Sequence, residues 1–216
     1  MIPAPPSAFL DANVLFSRTL RDWICLIALD SGHTAYQVRW SEDVLAEWVY
    51  RMRRAYPDLT DHALGGLRRR LETSFPDAMI TGYTPTEVPQ PPDLNDWHVL
   101  AAAASVPVDF LVTCDKHGLP PDLGEDLGIH VLDPDRFLNL VADRHPALVR
   151  QRLEGQIGYD RTRQLKTRLV EISQSDVDLR ETALDRLQKA GAAAFAERLR
   201  AMAATALPHE RARAAN

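Results

Sequence analysis

The chain has 216 residues, 45% of them hydrophobic and 25% charged, a make-up that suits one globular domain plus an extension. No apolar run approaches the roughly 18 residues that a membrane span needs. The net charge of −5 is unevenly divided: residues 1–135 carry 10 Lys and Arg against 20 Asp and Glu, and residues 136–216 carry 15 against 10.

An acidic first half argues against plain electrostatic nucleic-acid binding unless the acids are gathered to hold metal ions. The basic second half suits phosphates, an acidic partner, or simply solvated helix faces. Two cysteines, Cys25 and Cys114, make no disulfide framework, so a reducing cytoplasm is expected. Met1-Ile2-Pro3-Ala4-Pro5-Pro6 has no basic start and no apolar core, and reads as a disordered lead-in rather than a secretory signal.

The first element is Ala8-Phe9-Leu10-Asp11, followed by Ala12-Asn13-Val14-Leu15. The apolar run predicts a buried parallel strand that ends by turning Asp11 out at the carboxyl edge of the sheet, where open α/β sheets place their ligands. A carboxylate there is costly unless something pairs with it, and a divalent cation is the usual partner. Leu20, Trp23, Ile24, Ile27 and Ala28 are spaced for a helix over 20–29, which Gly32 stops.

Tyr36 to Trp40 reads as a short strand, and Ser41 as the N-cap of a helix with Glu42 and Asp43 in its first turn. Val44, Leu45, Trp48 and Met52 form its buried stripe. Glu47 lies on the flank of that stripe, where it either reaches the sheet edge or stays solvated. Thr60 caps the next helix, with Leu64, Leu67, Leu71 and Phe75 spaced for burial. Two basic clusters, Arg51/Arg53/Arg54 and Arg68-Arg69-Arg70, either hold a nucleic-acid backbone or serve as surface and partner-binding residues.

Ala78 to Thr81 predicts a strand, and Tyr83 to Pro92 a loop containing Pro85, Pro89, Pro91 and Pro92. Asp93-Leu94-Asn95-Asp96-Trp97-His98 then opens an alanine-rich helix. Capping and the helix dipole partly explain acids at such a start, so capping competes with a functional role for Asp93 and Asp96 taken alone. His98 is either a hydrogen-bond partner of the acids or a surface histidine. Val108 to Thr113 is the next strand and runs into Cys114-Asp115, repeating the opening pattern. Ile129 to Leu132 is the last strand, and Asp133-Pro134 starts a helix.

The remainder is helical pattern throughout: Phe137, Leu138 and Val141; Leu148 to Leu153; Leu165, Leu169 and Ile172; Leu179, Leu184 and Leu187, stopped by Gly191; and Phe195, Leu199 and Met202. A frayed end is expected after Pro208. The division is an α/β domain over 1–135 and an all-helical extension over 136–216.

Four acids have a structural reason to converge: Asp11 and Asp115 at strand ends, Glu47 on a helix flank and Asp96 at a helix start. Clustered carboxylates repel one another unless a cation intervenes, and an oxygen-only set suits Mg²⁺ or Mn²⁺. One or two such ions position and deprotonate water and stabilise an in-line phosphoryl transition state, which is chemistry that cuts phosphodiesters. No CxxC or HExxH supports zinc, no G-x-S-x-G elbow is present, and Gly65-Gly66 lies inside a helical pattern. Cys114 reads as a plain strand-end residue. Trp23, Trp40, Trp48 and Trp97 read as core or interface rather than as base-stacking residues.

Phe9-Leu10-Asp11-Ala12-Asn13, Trp40-Ser41-Glu42-Asp43-Val44-Leu45-Ala46-Glu47, Pro92-Asp93-Leu94-Asn95-Asp96 with its alanine-rich helix, and Leu111-Val112-Thr113-Cys114-Asp115 together resemble the PIN-domain family of ribonucleases, in particular its VapC-type toxins. The match covers about residues 8–135, in order. The resemblance implies a three-layer α/β/α fold with a central parallel sheet and Mg²⁺- or Mn²⁺-dependent cleavage of RNA. It also implies neutralisation by a cognate antitoxin. Asp11, Glu47, Asp96 and Asp115 would be the catalytic, metal-holding acids, supported by Asn13, Asp93, His98 and Thr113. Asn95 stands where similar sequences often carry a further acid. The helical extension would enlarge a homodimer interface, bind the antitoxin or cover RNA. Two other readings are a non-catalytic PIN-like module that binds RNA or protein, and a phosphatase of the haloacid-dehalogenase type. The phosphatase needs an acid where Asn13 stands.

Overall fold

Five short strands form one parallel sheet in the order β3-β2-β1-β4-β5. In chain order the elements are β1 (Ser7–Leu10), α1 (Ala12–Phe16), α2 (Arg18–Asp30), β2 (Gln37–Ser41), α3 (Glu42–Ala55), α4 (Asp61–Ser74), β3 (Met79–Ile80), a 3-10 turn (Leu94–Asp96), α5 (Trp97–Ala104), β4 (Phe110–Val112), a 3-10 segment (Pro121–Leu127) and β5 (His130–Leu132). The computed structural model describes residues 4–84, 87–166 and 176–214. The start of the expected lead-in at Met1 to Pro3, the loop residue Pro85, and the expected helical positions Leu169 and Ile172 lie outside them. The chain divides into two compact units, Met1–Pro134 and Asp135–Asn216.

The strands are continuous apolar runs because a parallel sheet is covered on both faces. Ala8, Phe9, Leu10, Leu111 and Val112 are fully buried, as are Trp40 and Trp48. The chain steps from β1 to β2 to β3 in one direction, then returns across the sheet to β4 and β5. Right-handed crossovers in opposite directions put helices on both faces, consistent with a three-layer α/β/α arrangement. The direction reverses between β1 and β4. That is the switch point where open sheets leave a crevice at their carboxyl ends. The β1/β4 register pairs Leu10 with Val112, so Asp11 and Thr113 emerge side by side.

Several local expectations appear in the structure. Ser41 caps α3 through a bond from Val44 N–H, and Thr60 caps α4 through one from Ala63 N–H. Gly32 and Gly191 take left-handed backbone just past helices, at φ 60° and 95°. Other expectations differ. Residues 12–16, where the sequence marks no helix, form the short helix α1 directly after β1. In α4, Leu64 and the following Phe75 are buried, but Leu67 and Leu71 are only half-buried. The edge strand β3 that follows has two residues and offers little surface to cover.

The second unit holds α6 (Pro134–Arg144), α7 (Pro146–Lys166), α8 (Asp176–Lys189) and α9 (Ala193–Ala214). Leu148 to Leu153 and Leu165 belong to one helix, not two. The buried stripe Val149, Leu153 and Ile157 runs on at helical spacing through Gly155 without a break. Asp135 accepts from Phe195 N–H at 2.8 Å and Ala194 N–H at 3.3 Å, tying α6 to the start of α9. The expected fraying after Pro208 is not seen, because α9 continues to Ala214. Alanine and arginine on both sides favour helix and offset the bond that proline removes.

Candidate functional site

Asp11 is 2% exposed and fixed on all sides. Its Oδ1 accepts from Ala12 N–H at 2.5 Å and so caps α1. Its Oδ2 accepts from Thr113 Oγ1 at 2.7 Å and from Asn13 Nδ2. Asn13 Oδ1 in turn accepts from Cys114 N–H at 2.9 Å, which locks the two strand ends together. Burial still pushes the Asp11 carboxyl above its ordinary range; the Thr113 bond opposes that rise and the Glu47 charge adds to it. Asn13 and Thr113 therefore act as positioning residues for Asp11.

Asp115 is arranged differently. Its N–H donates to Thr113 Oγ1 at 2.9 Å, and its Oδ1 accepts from Gly118 N–H at 2.7 Å and His117 N–H at 2.9 Å. The bond from Gly118 above all holds its carboxyl below the usual range.

The two acids of the Asp93–Asp96 stretch part company. Asp93 Oδ1 accepts from Asn95 N–H and from Asn95 Nδ2, both at 2.9 Å, so Asp93 is an exposed cap of the 3-10 turn. Asp96 sits at the start of α5 with helical backbone and makes no side-chain cap bond. Its Oδ2 is buried without a hydrogen-bond partner. Desolvation first, then the charges of Asp11, Asp115, Asp93 and Glu47, push the Asp96 carboxyl up to about 7. Capping explains Asp93 and leaves Asp96 unexplained.

Glu47, at the flank of α3, is half-buried and pairs with Arg51 at 2.5 Å. Its other oxygen lies 3.8 Å from His98 Nε2. His98 Nδ1 donates to Asn95 O at 2.7 Å, and its Nε2 is buried without a hydrogen-bond partner. His98 is thus oriented toward Glu47 rather than standing free on the helix surface. Glu47, Arg51, Asp93, Asp96, His98 and Asp115 line one open cleft of about 1010 Å³. Asp11 lies beneath it.

The basic clusters are partly engaged in holding helices. Arg53 pairs with Asp61 at 2.7 Å, and Arg68 bridges Glu42 at 2.6 Å and Glu72 at 2.9 Å. Cys25 and Cys114 carry thiols pushed up by burial to about 12 and about 11, so neither is a ready thiolate.

Gly118 is a residue of the candidate site that its motifs do not single out. A β-carbon there would stand 1.9 Å from Asp96 Oδ2 and 3.1 Å from Asp115 Oδ2. The bare glycine lets the two carboxylates converge on one point. The trace in the sequence is the tight-turn pattern of Asp115 followed three residues on by Gly118.

The donor chemistry fits a hard divalent cation: the acids offer only oxygen, and a buried oxygen of Asp96 lacks a partner. Among the described residues no three acidic, His or Cys side chains already stand as a metal-binding group. Asp96 and Asp115 converge at Gly118, while donors engage both oxygens of Asp11. Compared with protein-family models, curated proteins and solved structures, the chain has no significant match in any of the three.

Proposed function

We propose that this chain is a metal-dependent endoribonuclease of PIN-like fold that hydrolyses RNA phosphodiester bonds, and that it is the VapC-type toxin of a toxin–antitoxin pair. The reading is carried by Asp96: a buried carboxylate oxygen without a partner, at the sheet's switch point, under the charges of four other acids. Such repulsion is costly unless a cation offsets it. The ordered motifs around Asp11, Glu47, Asp96 and Asp115 support the family reading.

Asp11, Glu47, Asp96 and Asp115 would hold one or two Mg²⁺ or Mn²⁺ ions. When bound, the ion supplies water activation and neutralises charge on the phosphate. Asn13 and Thr113 keep Asp11 in one geometry, and Gly118 keeps Asp96 and Asp115 together. Arg51 pairs with Glu47 on one side, and His98, oriented by Asn95, faces its other oxygen at 3.8 Å. Among the described residues no helix is long and apolar enough to cross a membrane. The partners in this reading are RNA, a cognate antitoxin and a second copy of the chain, in the cytoplasm.

The test is cleavage of total RNA in Mg²⁺ or Mn²⁺ by the parent and by Asp11→Ala and Asp96→Ala. Both variants should stay folded and lose cleavage and growth inhibition. An Asp11→Ala chain that cuts RNA as well as the parent would sink the metal-site reading. A parent that binds RNA without cutting it would make the chain a non-catalytic module.

A further inference from the structure

The wall of the cleft beyond the acids is aromatic and cationic. On α3, Glu47, Tyr50, Arg51 and Arg54 recur at spacings of three and four, so they share one face of the helix. All four line the cleft, as does Phe16 at the end of α1. From Glu47 to Arg54 is about 10 Å along the helix axis. Tyr50 is 58% exposed and Tyr56 is 53% exposed. Tyr56 stacks on Phe16 at 6.4 Å between centroids, so the ring that lines the cleft is backed by a second one. The Arg54 guanidinium lies 5.7 Å from the Tyr50 ring centre. Unlike Arg51 and Arg53, Arg54 makes no ion pair among the described residues.

Large aromatic rings left open to water beside a carboxylate site need a reason, because burying them is worth more than exposing them. A nucleobase supplies the missing face: every base has one, and stacking on an aromatic side chain is tolerant of sequence. A guanidinium beside the ring, with no ion pair among the described residues, suits the phosphate that follows a stacked base.

We propose that this wall is a nucleobase-stacking subsite, formed by Tyr50, the Phe16–Tyr56 pair and Arg54, which seats a nucleotide of single-stranded RNA beside the phosphate to be cut. It rests on the endoribonuclease reading and adds the residues that position the strand.

The experiment uses the full chain carrying Asp96→Asn, in Mg²⁺, with two labelled probes followed by fluorescence anisotropy. One is a short single-stranded oligoribonucleotide of mixed sequence, and the other is its abasic counterpart of equal length. Adding Tyr50→Ala should weaken binding of the base-bearing strand about ten-fold and leave the abasic strand unaffected. Tyr50→Phe should bind like Tyr50. Arg54→Ala should weaken both probes and flatten the salt dependence by about one charge. Tyr50 is exposed, so Tyr50→Ala should fold, which circular dichroism checks.

If Tyr50→Ala binds both probes as tightly as its parent, the subsite is wrong, and the nuclease reading stands or falls separately on cleavage by the Asp96-bearing chain. If Tyr50→Ala leaves RNA affinity unchanged but turns a self-associated chain into a monomer, the wall is a protein interface and the proposal is wrong. If no chain binds either probe, the subsite is wrong, and cleavage by the Asp96-bearing chain decides the nuclease reading.

Discussion

Gly118 and Asp96 are in contact so close that a side chain at position 118 must displace the acid: a β-carbon there would stand 1.9 Å from the Asp96 carboxylate. The contact joins the turn after β4 to the start of α5, two elements separated in sequence but adjacent at the switch point. Gly118→Ala must push Asp96 or the turn aside. The expected result is a folded chain, less stable by about 1 kcal/mol, the low end of overpacking costs, because the atom displaced is the far end of a side chain. RNA cleavage should fall by roughly 100-fold, since a displacement near 1 Å at a reacting centre costs about that much. Thermal unfolding and a cleavage time course measure the two effects. Full activity in Gly118→Ala would show that the placement of Asp96 is unimportant.

The acids set a pH dependence whose sign follows from Asp96. Its carboxyl is raised from 3.8 to about 7 in the folded chain. The folded state therefore holds the proton more tightly than the unfolded state, and stability falls as pH rises between those values. The contribution is complete below 3.8 and lost above about 7. Without metal, the parent should lose thermal stability relative to Asp96→Asn across that window, and the difference should be level above it. Parallel pH profiles that never converge would place the repulsion elsewhere.

Metal should reverse this penalty. Ligand carboxylates must be ionised, so binding competes with protons and favours the folded state. Mn²⁺ or Mg²⁺ should raise the unfolding temperature of the parent more at pH 8 than at pH 5.5. The gain should disappear in Asp96→Asn and shrink in Asp115→Asn. An equal gain at both pH values, or one that survives Asp96→Asn, would mean that the ion binds away from these acids.

Thr113 serves both strand ends, donating to Asp11 Oδ2 at 2.7 Å and accepting from Asp115 N–H at 2.9 Å. Thr113→Val keeps the shape and removes the hydroxyl, leaving a buried carboxylate short of a donor. The expected cost is about 1–3 kcal/mol in a denaturant melt, with most of it restored in Thr113→Ser. A neutral Thr113→Val would show that Asn13 and the Ala12 N–H suffice to hold Asp11.

The elements were legible because their signals are local. The apolar run through Leu10, the caps Ser41 and Thr60, and the helix stops at Gly32 and Gly191 each depend on a few neighbouring residues, and the structure shows each in place. The helix at 12–16 was not legible. It begins only because the Asp11 side chain turns back to cap it, and two other residues hold that side chain. The half-exposure of Leu67 and Leu71 was hidden as well, since spacing predicts a stripe but not what covers it.

By itself the sequence determined that acids end two of its strands, start one helix and flank another, because period and chain direction alone place a residue at an element's end or on its face. It also supplied the chemistry, oxygen donors without thiolate or paired histidine. Only the tertiary structure decided which acid does what. Asp93 satisfies its own turn, Asp115 is held by two backbone donors, Asp11 is held by three donors beneath the cleft, and Asp96 keeps a buried oxygen that nothing satisfies. Those differences are differences in burial and in neighbouring charge. Both are sums over groups far apart in the chain, and no local pattern contains them.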